Sequence, residues 1–366
     1  MKSLKSLLLL SFFALSLTSC KKAPMQVLEN KNNYNQNKQV SDFEIKYCDL
    51  KSLKRTDISR IRYDNLSLPK EICLDSIKGI YMINGRVPKD CLNNKKKVMD
   101  EFSLEESLQM KKEEMAGEKA LTHQGESYLC IMDSGLVSYI RNNNKELPEF
   151  DESNADFYYM NNKKDRNVSF VKEIIEQAKK DDKKSLRPKN LEYIPKYVAV
   201  AKKDNQVLVQ GTYGYKGMEL LNSYTVRKIK GHISPAKYEY INSIYSTNKE
   251  IVLEHYFQTS GCEIRDTKEV RKVVSLDSAI HIVSNKLSGF KKVNIREIVP
   301  VYMCLKEDTC KEFVYSAGKK LKFRPVYLFK IKSVDDKKSF EESTYVNLVV
   351  DMVTGEYFDD LAIRGK

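Results

Sequence analysis

The side chains that most often carry acid–base or metal chemistry are few in this sequence. Of its 366 residues only four are histidines, at positions 123, 232, 255 and 281, and no two of them form a His-x-x-x-His pair. A His-Glu-x-x-His metal site and the Gly-x-Ser-x-Gly elbow of serine hydrolases are both absent. His281 lies away from the apolar stripe of its predicted helix, so we expect it to be exposed.

Carboxylates are plentiful, and the densest group is EFDESNAD at 149–156. Two of them would suffice for acid–base work on a glycan, and their oxygen atoms would suit a weak calcium site. The stretch lacks the glycine and the spacing of a known calcium loop, and without tryptophan a sugar site would depend on tyrosine. A solvated acidic loop is the simpler interpretation. No catalytic residue, cofactor or metal site is therefore predicted.

The chain has eight cysteines and no Cys-x-x-Cys pair that would indicate a zinc or redox site. Cys304 and Cys310 are separated by five residues, in what reads as a long hairpin loop. In an oxidising compartment we expect these two to form a disulfide. In an anaerobic bacterium they and the other structural cysteines would remain thiols and behave as small apolar residues.

Cys20 stands in a different context from the other cysteines. Lys2 and Lys5 form a positive n-region, and Leu7–Leu17 is an apolar segment with the length of a signal-peptide h-region, too short to cross a bilayer comfortably. At its end, Leu17-Thr18-Ser19-Cys20 resembles the lipobox of bacterial lipoproteins. The resemblance implies that the Cys20 thiol carries diacylglycerol and that cleavage just before Cys20 removes residues 1–19.

Two alternatives stay open at this point: a secreted protein with an incidental Cys20, or a membrane protein that keeps its first helix. Lys21 and Lys22 would lie against anionic headgroups beside a lipid anchor. Residues 23–41 are polar and rich in Asn and Gln, which is typical of a disordered tether. We therefore expect a lipid-anchored, extracytoplasmic protein at the cell membrane or the outer membrane.

The net charge of +13 arises from 63 Lys and Arg against 50 Asp and Glu. Such a surplus favours anionic partners such as phospholipid headgroups or an acidic wall polymer. Because acidic residues are interleaved with the basic ones, no compact positive stripe indicates nucleic-acid binding. The expected partners are the membrane, an acidic wall polymer or another envelope protein, and no nucleic acid.

Downstream of the tether, the first region has a mixed pattern. Residues 78–87 alternate like a strand and reach an Asn-Gly pair, which predicts a hairpin turn. Ser103 and Glu106 have capping-box spacing and predict a helix over 103–121. Residues 127–133 predict a strand, whereas 141–167 lack periodicity, as in a long loop or an interdomain connection.

The middle region begins with a helix from Val168, in which Phe170, Ile174, Ile175 and Ala178 recur at helical spacing. The stretch QGTYGYKG at 210–217 is read as a strand end and a turn, because no Lys-Ser/Thr follows its glycines. Dense tyrosines and β-branched residues predict strands around it. These strands are 196–202, 205–213, 222–229, 237–246 and 250–259.

The last region predicts one helix followed by antiparallel strands. Ser275 stands at an N-cap position, before a stripe formed by Leu276, Ala279, Ile280, Val283 and Leu287. Strands are predicted at 293–303, 323–333 and 344–353, and a tight turn at 354–356.

The phrases VSLDSAIHIVSNKL, RPVYLFKI and YVNLVVDMVTGEYFDD in this last region resemble the PepSY-type pattern of extracytoplasmic bacterial proteins. The resemblance implies an α+β fold and a regulatory, inhibitory or interaction role, and it assigns no catalytic residue. The insertion at 304–322 departs from the minimal pattern.

The sequence as a whole predicts an α+β fold of two or three modules, in which antiparallel sheets are each covered by a helix. The expected divisions are a signal peptide (1–19), the lipidated cysteine and tether (20–41), an N-terminal region (42–167), a middle region (168–265) and a PepSY-like domain (266–366).

The function we expect is that of a membrane-anchored lipoprotein acting as a non-catalytic binding or regulatory module. One alternative is an envelope hydrolase that acts on peptidoglycan or protein through dispersed carboxylates or a cysteine. A sensory partner of a membrane kinase or transporter is a second alternative.

Overall fold

The computed structural model describes most of the chain between residues 43 and 359. It leaves out 1–42, 90, 106, 116–117, 134, 136, 141–153, 183–185, 188, 203–205, 228–231, 235–239, 247–250, 259–261, 289–291, 307–317, 319, 332–345 and 360–366. Cys20, the expected tether and Cys310 lie outside the described residues, and Cys304 is described only through its backbone. The lipidation site and the disulfide therefore stay predictions.

The described residues form twenty β-strands and five α-helices, a mixed α+β fold dominated by sheet, which confirms the predicted class at this level. The helices are α1 (Leu50–Lys54), α2 (Lys95–Glu101), α3 (Lys163–Asn167), α4 (Ser169–Asp181) and α5 (Leu276–Lys286). The strands are β1 (Tyr47–Cys48), β2 (Leu66–Ser67), β3 (Tyr81–Arg86), β4 (Lys111–Met115), β5 (Glu118–Gln124), β6 (Tyr128–Met132), β7 (Val137–Ile140), β8 (Ala155–Tyr159), β9 (Glu192–Ala201), β10 (Gln206–Tyr215), β11 (Met218–Arg227), β12 (His232–Ser234), β13 (Tyr240–Ser246), β14 (Ile251–Gln258), β15 (Glu263–Glu269), β16 (Val273–Val274), β17 (Val293–Lys306), β18 (Lys320–Ile331), β19 (Val346–Asp351) and β20 (Tyr357–Asp359).

Two runs of paired strands meet at the hairpin between β10 and β11. The first run is antiparallel throughout, in the order β4-β5-β6-β7-β14-β13-β10-β9-β8. The second has the order β20-β19-β18-β17-β11-β12, with β11 parallel to β17. β3 pairs with the first residues of β18 and with β15. Backbone pairing therefore connects all three predicted regions, whose boundaries stay predictions.

Helix α5 follows the periodicity of its sequence. Ser275 caps it by accepting a hydrogen bond from the Ser278 amide at 3.2 Å, as predicted. The five predicted stripe residues are all buried, with at most 2% of their surface exposed. They share one core with Tyr327 and Leu348 of the second sheet. Burying a leucine, isoleucine or valine side chain contributes about 1.5–3 kcal/mol, so this stripe is a main source of the helix's stability.

The middle region also agrees with its sequence pattern. α4 buries Ile174, Ile175 and Ala178, while Phe170 is half-buried at its edge. The predicted strands are present as β9, β10, β11, β13 and β14, with bounds that differ by a few residues. The predicted turn lies at Lys216-Gly217, where Gly217 has φ +83°. Glycine adopts this backbone conformation at little cost, which explains its presence there.

The helix predicted over 103–121 is wrong. α2 ends at Glu101, Ser103 has φ +52°, and the chain then enters strands β4 and β5. β5 pairs with β6, in which every side chain is buried. Lys, Glu and Ala favour a helix, but this intrinsic preference is small in free energy. Pairing with a fully buried strand overrides it.

The hairpin predicted at Asn84-Gly85 is also wrong, because β3 runs straight through both residues. A Cβ atom on Gly85 would lie 2.6 Å from the Cys262 sulphur and 3.2 Å from the Phe323 ring. The glycine therefore permits close approach of neighbouring side chains instead of a turn. The long loop predicted over 141–167 is wrong for its second part, which forms β8 and α3.

The turn predicted at 354–356 is confirmed, and a buried carboxylate holds it. Asp351 is fully buried and its Oδ1 accepts the amides of Val353 and Thr354 at 2.7 and 2.9 Å. Its Oδ2 lies 2.7 Å from the Arg324 Nε. Gly355 follows with φ +74°. One aspartate thus links β18, β19 and the turn.

We predict that Asp351→Ala lowers the free energy of unfolding by about 3 kcal/mol or more, because it leaves the Arg324 charge without its counter-ion and two turn amides without their acceptor. Urea unfolding followed by circular dichroism measures the change. Glu356→Gln, at an exposed position of the same turn, is the control and should stay within about 0.5 kcal/mol of the wild type. Equal stability of the two variants would show that Asp351 does not hold the turn.

Candidate functional site

Two β-bulges reorient cationic side chains near the junction of the two sheets. In β9, Lys196 is the extra residue between the pairs that Pro195 and Tyr197 make with β10. In β17, Arg296 is the extra residue where this strand pairs with β18. A bulge breaks the alternation of side chains and is common beside functional sites. Each bulge therefore sets two consecutive residues opposite a single residue of the partner strand, which a regular strand does not do.

Five polar side chains meet at these bulges, and we call them the bulge cluster: Asn161, Lys196, Glu219, Glu297 and Lys330. Lys330 Nζ lies 2.7 Å from Glu297 Oε2, and the amide of Asn161 donates to the other oxygen of Glu297. The ammonium group of Lys196 pairs with the carboxylate of Glu219. The cluster thus joins side chains from all three predicted regions.

The electrostatics of Glu297 follow from this surrounding. Burial raises its pKa, but Lys330, Lys196 and the hydrogen bond from Asn161 together outweigh burial, so the pKa lies below its ordinary value. Glu297 is therefore ionised at neutral pH. A general acid of a hydrolase needs the opposite shift, so Glu297 is suited to pairing and not to proton donation.

Three aromatic rings lie next to the bulge cluster, and we call them the aromatic strip: Phe157, Tyr159 and Tyr197. The rings are half-buried, and their centroids are 5.5–6.1 Å apart. Phe157 and Tyr159 share a face of β8 because side chains alternate along a strand. The guanidinium carbon of Arg296 lies 5.9 Å from the Tyr159 ring centroid, within cation–π range. Ring faces beside fixed charges form a surface that can bind a polar ligand or a partner.

The described thiols do not form an activated nucleophile. Cys48 and Cys73 are half-buried, and burial raises the pKa of both. Burial also raises the pKa of Cys130, to about 11. Because the thiolate is the reactive form, these three side chains are poor nucleophiles at neutral pH. Cys91 and Cys262 are buried as well.

His281 is half-buried, so the expectation that it is exposed is wrong. Its ring stacks on Phe43 at 3.7 Å, and its Nε2 lies 2.9 Å from the amide nitrogen of Asn285. His123 Nδ1 lies 3.0 Å from the Gln109 carbonyl oxygen. The side chains of His232 and His255 lie outside the described part of the structure.

Neither a group of metal ligands nor a membrane-spanning helix is found among the described residues. No group of three His, Cys, Asp or Glu side chains is placed there to hold a metal ion. None of the described helices is long and apolar enough to span a bilayer. Of the acidic stretch at 149–156, residues 154–156 are described, and Asp156 pairs with Lys202 at 3.1 Å.

Sequence reasoning missed the bulge cluster, although two signals pointed towards it. Pro195 stands directly before the strand predicted at 196–202, and proline near a strand often marks a bulge. Arg296 and Glu297 are consecutive charges in an otherwise apolar strand, which breaks the alternation expected of a regular one. Neither signal identifies the partners, which come from distant parts of the chain.

The sequence matches no family model and no curated protein. The fold is similar to that of an uncharacterized protein from Eubacterium rectale ATCC 33656, solved by crystallography at 1.45 Å, with a TM-score of 0.51 and 14% identity. The similarity covers 84% of this chain and 97% of the Eubacterium chain. At this identity it shows the fold alone, so the lipobox and PepSY resemblances stay predictions.

We predict that Glu297→Gln lowers the free energy of unfolding by about 1–3 kcal/mol at pH 7, because it removes the charge that pairs with Lys330. A carboxylate with a lowered folded-state pKa stabilises the fold above its ordinary pKa of 4.5 and loses this contribution as the pH falls through the folded-state value. The difference from the wild type should therefore shrink below pH 4.5.

Urea unfolding at neutral and acidic pH measures both effects. Glu176→Gln serves as the control, because its partner Lys179 and the carboxylate itself are largely exposed. A Glu297→Gln effect that is independent of pH would contradict the assignment of an ionised, paired carboxylate.

Proposed function

We propose that this protein is a membrane-anchored, extracytoplasmic lipoprotein whose folded part is a non-catalytic binding or regulatory module. The observation that carries the anchor is Leu17-Thr18-Ser19-Cys20 at the end of a short apolar segment behind two lysines. A thiol flanked by small residues at the membrane face is what diacylglycerol transfer and cleavage before the cysteine require. The proposed location is the cell membrane or the outer membrane.

The aromatic strip and the bulge cluster are the proposed binding surface. Lys330 and Lys196 each pair with a carboxylate, and Glu297 is ionised at neutral pH, so Glu297 is not suited to act as a general acid. Half-buried tyrosine rings beside fixed charges suit recognition, because they supply contact area with little loss of side-chain entropy. The partner classes we propose are an envelope protein and an acidic wall polymer.

The order of elements in the last region supports the PepSY-like proposal. A helix capped by Ser275 is followed by three strands, β17, β18 and β19, and by the turn at Gly355. This is the order that the resemblance implies. We accordingly propose that residues 266–366 form a regulatory or interaction module, with α5 covering its sheet.

We predict that Cys20→Ser blocks both acylation and cleavage before residue 20, since serine cannot accept the lipid. Mass spectrometry of the N-terminus measures both effects, and globomycin should cause the uncleaved wild-type precursor to accumulate. Cys48→Ser, at a half-buried thiol of β1, is the matched control and should be acylated and cleaved like the wild type. If Cys20→Ser is cleaved before residue 20 like the wild type, the lipoprotein assignment is wrong.

We predict that replacing Tyr159 and Tyr197 by serine lowers affinity for the wall or envelope partner by at least about tenfold, or 1.4 kcal/mol. Co-sedimentation with purified cell walls, with and without their acidic polymers, measures wall binding. Crosslinking in intact cells measures binding to an envelope protein. Tyr215→Ser, at a half-buried tyrosine outside the strip, is the control. Turnover of peptidoglycan or protein by the wild type would instead support the hydrolase alternative.

A further inference from the structure

The first described segment of the fold exposes a dense group of cations. Between residues 46 and 62 only Leu53 and Ile58 are buried, and they anchor the segment to the core. We call the outward side of residues 46–62 the basic face. Six cations of this segment are exposed: Lys46, Lys51, Lys54, Arg55, Arg60 and Arg62.

The two carboxylates of the basic face are engaged in local turns. Asp49 caps α1 by accepting the Ser52 amide at 2.7 Å, and Asp57 accepts the Ser59 amide at 3.0 Å. The hydrogen bond from the Ser52 amide lowers the pKa of Asp49, and those from the Ser59 hydroxyl and amide lower the pKa of Asp57. Asp57 also forms an ion pair with Arg60 at 3.0 Å. Because both side chains are largely exposed, this pair weakens the positive charge of Arg60 only slightly. Six cations against two carboxylates give residues 46–62 a net charge of +4.

Tyr47 adds an apolar group to the basic face. Its side chain is 47% exposed, and only Val168 joins it as an exposed large hydrophobic residue in the part of the chain that the structure describes. A tyrosine with a wet hydroxyl and an apolar ring is the residue type enriched at membrane–water interfaces. Cations alone would suit any polyanion, whereas the exposed ring favours a partner that has an apolar layer.

The fold holds Tyr47 and Lys46 in place. Tyr47 pairs with Val274 across β1 and β16. The Lys46 amide donates to Ser278 Oγ at 3.0 Å, and the Lys46 carbonyl accepts the Ser275 amide at 2.8 Å. Lys46 and Tyr47 are therefore held in fixed positions at the start of α5.

The basic face is also close in sequence to the proposed lipid site. Lys46 follows Cys20 by 26 positions, a length that spans at most about 90 Å when extended. An anchored chain therefore allows the face to reach the bilayer that holds its lipid. Anionic headgroups attract such cations by about 1 kcal/mol each near the surface.

We propose that the basic face docks on anionic phospholipid headgroups, with Tyr47 at the headgroup level, and so orients the folded part on the membrane. This proposal rests on the proposed location at a membrane. It goes beyond the lipid anchor, because the anchor fixes attachment and the basic face fixes which side of the protein faces the lipid.

The experiment uses the mature chain, residues 20–366, carrying Cys20→Ser so that no acyl group contributes to binding. Co-sedimentation compares vesicles of phosphatidylcholine alone with vesicles that also contain phosphatidylglycerol. We expect binding to the anionic vesicles only, weakening as salt is raised. Lys51→Gln with Arg55→Gln should reduce partitioning about fivefold per cation removed, and Tyr47→Ser should reduce it further.

The matched control is Lys172→Gln with Lys180→Gln, which removes two exposed cations from α4 and should leave binding unchanged. All these positions are exposed, and thermal unfolding confirms that the variants fold. Three outcomes would each overturn the proposal: equal losses in both double variants, no binding to anionic vesicles, or binding to a soluble acidic wall polymer without vesicle binding. The vesicle assay uses a chain without an acyl group. A negative result in this assay would overturn the docking proposal without affecting the Cys20 experiment in cells, which tests the lipid anchor.

Discussion

The short contact between β10 and β11 joins the two sheets, and the arrangement of the polar residues depends on it. The two strands pair only at Gly214 with Glu219 and at Tyr215 with Met218, and each then continues in its own run of paired strands. A side chain on Gly214 would collide with the Met218 backbone, and one on Gly217 would collide with the Ser76 backbone. Glycine at both positions lets a tight hairpin close where two sheets diverge.

The bulge cluster lies where β10 and β11 diverge after this hairpin. Glu219 is the second residue of β11, at the point where this strand leaves β10 and begins to pair with β17. Lys196 approaches it from the neighbouring strand of the first sheet, while Glu297 and Lys330 come from the second. Charges at such a junction are only partly solvated, so each needs a partner, and the described pairs supply one.

Several elements could be predicted because their signals are local. The α5 stripe, the Ser275 cap and the glycine turns at 217 and 355 each depend on residues within a few positions of one another. The helix expected over 103–121 and the turn expected at Asn84-Gly85 failed for the opposite reason. β5 is determined by its pairing with buried β6, and Gly85 by the approach of Cys262, and neither neighbour is visible from the local pattern.

The sequence by itself determined the fold class, most of the middle and last strands, and the lipobox resemblance that underlies the proposed location. These depend on short-range periodicity, capping and motif spacing. Only the tertiary structure decided which polar groups meet: Asn161 and Glu297 are hydrogen-bonded although 136 positions separate them. It also decided that the six cations of residues 46–62 are exposed, while Leu53 and Ile58 of the same segment are buried in the core. Such contacts arise from the packing of whole sheets, which no local pattern encodes.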